Sequence, residues 1–430
     1  MIEHIMKYQP LKNEDKEVLN SFMDYLLQKG SKWNQMYALL HYNLLKRDFW
    51  YRVGFFMNFL LYRDNKVNTY EEKRLYFFGF SLWKRHFIKS FFPAKSKIIF
   101  CNTIGMAIDK GLQAESEVYI WGKKSFGAVE SYAKENNIAL FRVEDGFIRS
   151  VSLGSDLTKP YSIVVDSRGI YFDPTQESDL EYILNTYKFD TEIINRAKKL
   201  QHSLIKNKIS KYNMDQEREL TFEGLQKGQK VILVPGQVED DASILYGADG
   251  MTNLELLKET RKSAPEEYII YKPHPDVLAG NRKGCIEYTE ARLYCNQVVE
   301  KTSLDSILEL SDEVHTMTSL VGFEALIRGK TTYTYGSPFY AGWGLTVDKK
   351  RILRRNLPRT LDELVAATLI LYPQYINPID NKPCEIEVLL DKIDKEKKRY
   401  NENSLYKVYR DSRNTISRKI QRLIKVLKGE

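Results

Sequence analysis

The chain has 430 residues, 43% of them apolar and 28% charged, which is globular in texture and too long for one ordinary core, so two domains with an appendage are expected. The formal charge is +8, yet residues 394–430 hold twelve Lys/Arg against five Asp/Glu; the body is near neutral, which argues against a basic groove tracking nucleic acid, and no zinc-finger, RNP or helix-turn-helix signature supports one. The cysteines Cys101, Cys285, Cys295 and Cys384 form no CxxC pair, and the first residues show no apolar core behind a basic start, so reduced cytoplasmic thiols and no secretory signal are expected.

Residues 1–92 read as a helical N-terminal region, with aromatic and apolar residues at mixed three- and four-residue spacings. The most apolar run, residues 53–62 (VGFFMNFLLY), is about half of the ~20 residues that a membrane-spanning helix needs. Trp83, Phe87, Phe91 and Phe92 interleave with Lys84, Arg85, His86 and Lys89, a mixture that suits either a core stripe or a membrane interface.

From Lys97 the texture changes to short strands alternating with helices: KIIFCN, a helix, VYIWG, a helix about 127–136, IALFRVEDG, then SIVVD followed by GIYFD. This predicts βαβ units and a mostly parallel sheet, a first Rossmann-like lobe over 93–228 that includes charged bridging helices from 177 onward. A second lobe over 229–393 repeats the layout with VILVPG, a helix over 253–262, YIIYKPHP, a strand near 296–299, a helix about 303–310, EVHTMTS, a helix starting near Gly322, and TTYTYG. The order fits two doubly wound lobes facing across a cleft. In the tail, 394–430, Ile416, Ile420, Leu423, Ile424 and Leu427 share one helical face with basic residues around the other, a helix that either packs on the protein or attracts an anionic membrane.

Chemistry-bearing residues gather at predicted strand ends. VILVPG runs into Gln237, Glu239, Asp240 and Asp241, and the carboxyl edge of an open α/β sheet is where such folds bind ligands. Three adjacent carboxylates repel one another, so the cluster should face a cation, an electrophile or a sugar; a helix cap by Asp240 or Asp241 is the plainer alternative. YIIYKPHPDV delivers Lys272 and His274, with Pro275 fixing the backbone, as donors suited to a phosphate. Thr318 and Ser319 lie between a strand and a helix, where hydroxyls and backbone N–H groups can hold an anion or simply cap the helix. In the first lobe Glu144 and Asp145 precede Gly146, an acidic pair placed to deprotonate a hydroxyl. No GxxxxGK[ST], GxGxxG after a strand, HExxH or GxSxG occurs, so P-loop, nicotinamide, zincin and α/β-hydrolase chemistries drop out.

The strings VEDGFIRS, LGSDL, GIYFDP, SKYN, VPGQVEDDASI, YKPHPDVLAGNRKG, DEVHTMTSLVGFEAL and FYAGWGLTVD together resemble the capsule-polysaccharide β-Kdo transferases of the KpsC type. The similarity covers about residues 82–378 and is nearest the second transferase module of the two-module members. The resemblance implies a GT-B-like α/β fold and transfer of Kdo from CMP-β-Kdo with retention, through a carboxylate adduct as in retaining glycosidases. It places the family's HP motif on His274 and Pro275, its QxxxD motif on Gln237 and Asp241, its acidic-Gly motif on Glu144, Asp145 and Gly146, and the hydroxyls around the CMP phosphate on Thr318 and Ser319. Asp241 is then the nucleophile, Glu144 or Asp145 the acceptor-side base, and Lys272, His274 and Ser319 the stabilisers of leaving CMP. No metal or other cofactor is expected, because Lys, His and a helix N-terminus can supply the positive potential. Expected partners are CMP-β-Kdo, a lipid-linked Kdo or saccharide acceptor, the anionic inner-membrane surface and capsule assembly proteins, with the protein peripheral on the cytoplasmic face. Another CMP-sugar transferase, such as a sialyltransferase, or a catalytically silent assembly scaffold are the alternatives.

Overall fold

The computed structural model describes residues 73–93, 95–150, 159–209, 220–278, 280, 282–300, 302–404, 406 and 412. The expectations for residues 1–72, LGSDL, SKYN and the basic helix about 416–427 lie outside them. Ser81–Ile88 belongs to a unit separate from the body formed by Tyr70–Phe80 and Lys89–Glu430. Its described part is the helix Leu82–Ile88, in which the Trp83 and Phe87 rings lie 5.1 Å apart.

The body contains two six-stranded sheets. The first uses Arg74–Phe78 (β1), Lys97–Cys101 (β2), Glu117–Trp121 (β3), Ala139–Asp145 (β4), Ser162–Asp166 (β5) and the late strand Pro373–Tyr375 (β12), in the order β12-β5-β4-β3-β1-β2. β1 to β4 pair in parallel; β5 is antiparallel to β4 and to β12. The second takes Val231–Pro235 (β6), Tyr268–Lys272 (β7), Gln297–Val298 (β8), Glu313–Thr316 (β9), Thr331–Thr334 (β10) and Val347–Asp348 (β11). Its order is β8-β7-β6-β9-β10-β11, parallel throughout. All five residues of β6 are buried, as expected of a central parallel strand covered on both faces. These are the two Rossmann-like lobes of a GT-B-like fold.

Two element assignments differ from the sequence reading. β1 falls inside the region read as helical: Leu75, Tyr76, Phe77 and Phe78 are each at most 2% exposed, and a strand buried on both faces shows no period-2 alternation that would distinguish it from a buried helix. GIYFD is not a strand. There the buried Asp166 carboxylate accepts the N–H groups of Arg168, Gly169 and Asp179, and Asp173 accepts from Thr175, so side chains rather than a neighbouring strand satisfy this backbone. The helix placed near Gly322 begins earlier, at Leu320, with Ser319 as its cap.

The C-terminal segment returns to the first lobe. After β11 the chain forms the helix Leu361–Val365, a π-helical turn Ala366–Leu371 and β12, then the helix Ile386–Glu402. The last helix runs across the 393/394 boundary drawn from charge alone. One apolar core contains Phe147 and Leu200 of the first lobe, Phe323 and Trp343 of the second, and Leu364 and Leu389 of the returning segment. Glu181, on the helix Asp179–Thr186, reaches Arg355 at 2.9 Å and Arg354 at 2.7 Å, and the Glu181 and Arg355 side chains are both buried. Arg355 also donates to the carbonyls of Pro338 and Ala341, so the pair is satisfied by further hydrogen bonds as burial requires. Among the described residues no helix is long and apolar enough to cross a membrane.

His315 on β9 is a core residue rather than a site residue. Its ring stacks on Tyr333 at 4.2 Å, with Nδ1 3.1 Å from the Tyr335 hydroxyl and Nε2 3.5 Å from Glu313. Burial pushes its pKa down to about 4, against the pull of Glu313 and with Lys349 adding to the depression. The unfolded chain therefore binds a proton from about pH 6.5 downward that the folded chain refuses until about pH 4, so stability is complete above that window and falls through it by up to about 1.4 kcal/mol per pH unit. Urea denaturation at about pH 7.5 and about pH 5 should show a smaller loss for His315→Gln than for the wild type; equal losses would contradict this reading.

Candidate functional site

In the second sheet the chain starts at β6, proceeds through β7 to β8, then crosses back to β9 on the other side of β6. This is a topological switch point, and the crevice beyond the carboxyl ends of β6 and β9 is where doubly wound sheets bind ligands. Gln237 follows β6, and Thr318 and Ser319 follow β9, so the connectivity brings these three predicted residues to that crevice.

Gln237 joins the two strand ends. Its buried amide donates through Nε2 to Thr318 Oγ1 at 3.0 Å, while Oε1 accepts the Thr318 N–H at 3.0 Å and the Thr316 hydroxyl at 3.3 Å. Its own backbone is held by Asn253, which accepts the Gln237 N–H and donates to its carbonyl, both at 2.8 Å. Ser319 caps the helix Leu320–Ile327 by accepting the Val321 N–H, and its carbonyl accepts from the Tyr340 hydroxyl at 2.5 Å. A Cβ at Gly322 would stand 2.2 Å from that hydroxyl, so this close approach requires glycine.

The three carboxylates after Gln237 have separate partners. Glu239 accepts the Asn253 N–H at 2.8 Å, and Asp240 pairs with Arg282 at 3.0 Å. Partial burial raises the Asp240 pKa, but Arg282 outweighs it and holds the carboxyl below its usual range. Asp241 is the exposed N-cap of the helix Ala242–Gly247; its Oδ1 accepts from the Ser243 N–H at 3.0 Å and the Ser243 hydroxyl at 2.8 Å. The capping alternative is therefore realised, and the two bonds from Ser243 tie the Asp241 carboxylate to the start of that helix.

KPHP begins at Lys272, the last residue of β7, beside the β6 loop: the Gly236 N–H donates to the Lys272 carbonyl at 2.8 Å. Lys272 Nζ donates to the Thr302 carbonyl at 2.7 Å. Pro275 is the exposed first residue of the short helix Pro275–Leu278, a position that tolerates its missing N–H. His274 Nδ1 accepts the Asp276 N–H at 3.1 Å, which in the neutral ring leaves the proton on Nε2 as a donor.

In the first lobe Glu144 and Asp145 end β4 and, as neighbours on a strand, point to opposite sheet faces. Asp145 pairs with the buried guanidinium of Arg149 at 2.8 Å. Glu144 Oε1 accepts the Asp145 N–H at 3.0 Å, and its Oε2 is 3.0 Å from where a Cβ on Gly122 would stand. Gly146 lies against Ser162, whose Oγ would be 2.3 Å from a Cβ there. The acidic-Gly motif thus needs its glycine for packing.

Lys123 and Gly247 carry contacts between the two lobes. Gly122 precedes Lys123, whose Nζ is 2.6 Å from Asp173 and 5.7 Å from the centroid of Tyr246, on the helix that Asp241 caps. The Cα of Gly247 faces the Phe172–Pro174 loop, and a Cβ there would be 2.9 Å from the Thr318 methyl. Asn253, Lys123 and Tyr246 were not singled out by sequence; Thr252-Asn253 reads only as a helix start, and Lys123 as a turn residue. Among the described residues no group of three or more His, Cys, Asp or Glu is arranged to hold a metal ion.

Two Rossmann-like lobes with their functional groups at strand carboxyl ends define a GT-B-like protein. Residues 116–377, more than half of the chain, match the family model described as capsule polysaccharide biosynthesis protein, and the chain belongs to that family, in its KpsC-type branch. It is 47% identical over 306 residues to the capsule polysaccharide modification protein LipA of Neisseria meningitidis, covering 71% of this chain and 43% of LipA. The chain thus spans less than half the length of that relative. It is 39% identical over 316 residues to the lipopolysaccharide-processing protein LpsZ of Rhizobium meliloti, covering 72% of each. Among solved structures, the β-Kdo 2,4 transferase of Thermosulfurimonas dismutans KpsC matches with TM-score 0.64 and 32% identity over 75% of this chain and 98% of that one. The KpsC β-Kdo 2,7 transferase matches with TM-score 0.60 and 37% identity over 76% and 100%.

Gln237→Leu would leave the Thr318 N–H without its acceptor, a loss of about 1–3 kcal/mol in unfolding free energy measured with urea. A variant as stable as the wild type would show that the amide is not what joins the strand ends.

Proposed function

We propose that the protein is a retaining β-Kdo glycosyltransferase that moves Kdo from CMP-β-Kdo to a Kdo-containing or lipid-linked saccharide acceptor in capsule or surface polysaccharide synthesis. The observation that supports the reading is the buried Gln237 amide, which bonds Thr316 and Thr318 beside Ser319 at the switch-point crevice; Asp241 and His274 lie on the loops after β6 and β7, and Glu144 lies beside Gly122 of the Lys123 turn. The likeness to the two KpsC β-Kdo transferase structures supports the sugar.

In the first displacement the Asp241 carboxylate attacks the anomeric carbon; the bond to the CMP phosphate oxygen breaks, and CMP leaves with that electron pair. Lys272, His274 Nε2–H and the Ser319 hydroxyl stabilise the phosphate charge as it develops. In the second, a base removes the acceptor hydroxyl proton, the oxygen attacks the same carbon, and Asp241 is released, so two inversions give net retention. Glu144 or Asp145, which pairs with Arg149, serves as that base. These side chains supply positive potential at the phosphate, so the reading calls on no metal or cofactor. The basic tail and a lipid-borne acceptor favour a peripheral position on the inner membrane face, next to the capsule assembly proteins.

Incubation with CMP-Kdo and a Kdo-terminated glycolipid analogue should release CMP and extend the glycolipid. Asp241→Asn should abolish transfer and leave CMP affinity within about twofold of wild type. Unchanged turnover in that variant would contradict the mechanism, and preferential use of CMP-sialic acid would replace Kdo with a sialyl donor.

A further inference from the structure

The first sheet has its own switch point. The chain passes from β1 to β2 on one side and then to β3 on the other, so the crevice beyond β1 and β3 is that lobe's ligand-binding address. Lys123 stands there, two residues beyond the end of β3. Its turn is fixed from beneath: the Arg142 guanidinium donates to the carbonyls of Gly122 at 3.4 Å and Lys124 at 2.9 Å, and Lys124 Nζ spans the crevice to the Gly79 carbonyl at 2.9 Å. A rigid turn therefore presents Lys123 to the opposite lobe.

We propose that Lys123 is a cross-lobe positioning residue. Pinned by the buried carboxylate of Asp173 at 2.6 Å, its ammonium stands over the Tyr246 ring and sets the helix capped by Asp241 against the first lobe. Asp173 is 1% exposed and also accepts the Thr175 N–H and hydroxyl, so it cannot follow the cation outward. A cation over an aromatic face is attracted by the ring quadrupole, and the shielding of this pair strengthens that attraction. The same helix ends at Gly247, against the carbonyl of Phe172 and the ring of Pro174, so the latch and the backbone contact act on one element. Lys123 thereby joins the turn beside Glu144 to the helix that begins at Asp241, and governs the separation of base and nucleophile. The inference rests on those two roles; the latch itself does not.

The test compares Lys123→Met, which keeps the aliphatic stem, Lys123→Arg, which keeps the charge, and Asp173→Asn. A displacement of about 1 Å between reacting groups costs on the order of 100-fold. Lys123→Met should therefore lower kcat for transfer from CMP-Kdo by on the order of 10- to 100-fold, with CMP affinity within about twofold of wild type. Lys123→Arg should recover most of the rate, and the Met and Asn changes together should cost little more than either alone. Amide hydrogen exchange reads the latch without turnover: the peptide covering residues 242–248 should exchange faster in Lys123→Met and return towards wild type in Lys123→Arg. If the wild type transfers from no CMP-sugar, the functional reading fails while exchange still decides the latch. Unchanged exchange over 242–248 in Lys123→Met, or CMP affinity falling together with the rate, would overturn the proposal.

Discussion

The side-chain amide of Gln237 is the interaction on which the second lobe's site depends. One amide satisfies the Thr318 N–H and hydroxyl and the Thr316 hydroxyl, and so joins the ends of two strands at the point where the sheet reverses direction. A buried amide left half satisfied would cost more than it contributes, so Thr316 and Thr318 are under one geometric constraint. Asn253 extends that constraint, because its side chain holds both the N–H and the carbonyl of Gln237 and also donates to the Gly284 carbonyl. The Thr316 and Thr318 hydroxyls and the loop that follows β6 are thus set by one network.

Around this network the two lobes are not independent beads. The returning segment after β11 places Leu364 and Leu389 in the same core as Phe147, Phe323 and Trp343. The buried Glu181–Arg355 pair holds the approach to that segment, with Arg355 bonded to the carbonyls of Pro338 and Ala341. Removing one member of such a pair leaves the other charged and buried, which is the costly way to break it. The two lobes and the returning segment therefore share one base.

Much of this was legible from the chain. VILVP and YIIYK announce buried parallel strands because they are short, β-branched or aromatic, and end in Gly or Pro. The strand-end position of Gln237, His274 and Ser319 followed from that pattern, as did the capping alternative for Asp241, which the structure realises. β1 was missed because RLYFF, buried on both faces, carries no alternation. GIYFD was misread because the carboxylates of Asp166 and Asp173 replace strand pairing there. Strand order was invisible altogether: nothing local says that β9 returns beside β6, and that is why Gln237 and Thr318, 81 residues apart, could not be paired in advance. Lys123 was overlooked for the same reason, since its partner Tyr246 lies in the other lobe.

The most direct test of the central claim is hydrogen exchange with and without CMP. If the switch-point crevice binds the nucleotide, protection should appear in peptides covering residues 236–241, 272–276 and 316–321, and peptides at the end of β4 should be unaffected. Protection confined to the first lobe, or none in these three peptides at saturating CMP, would contradict the account.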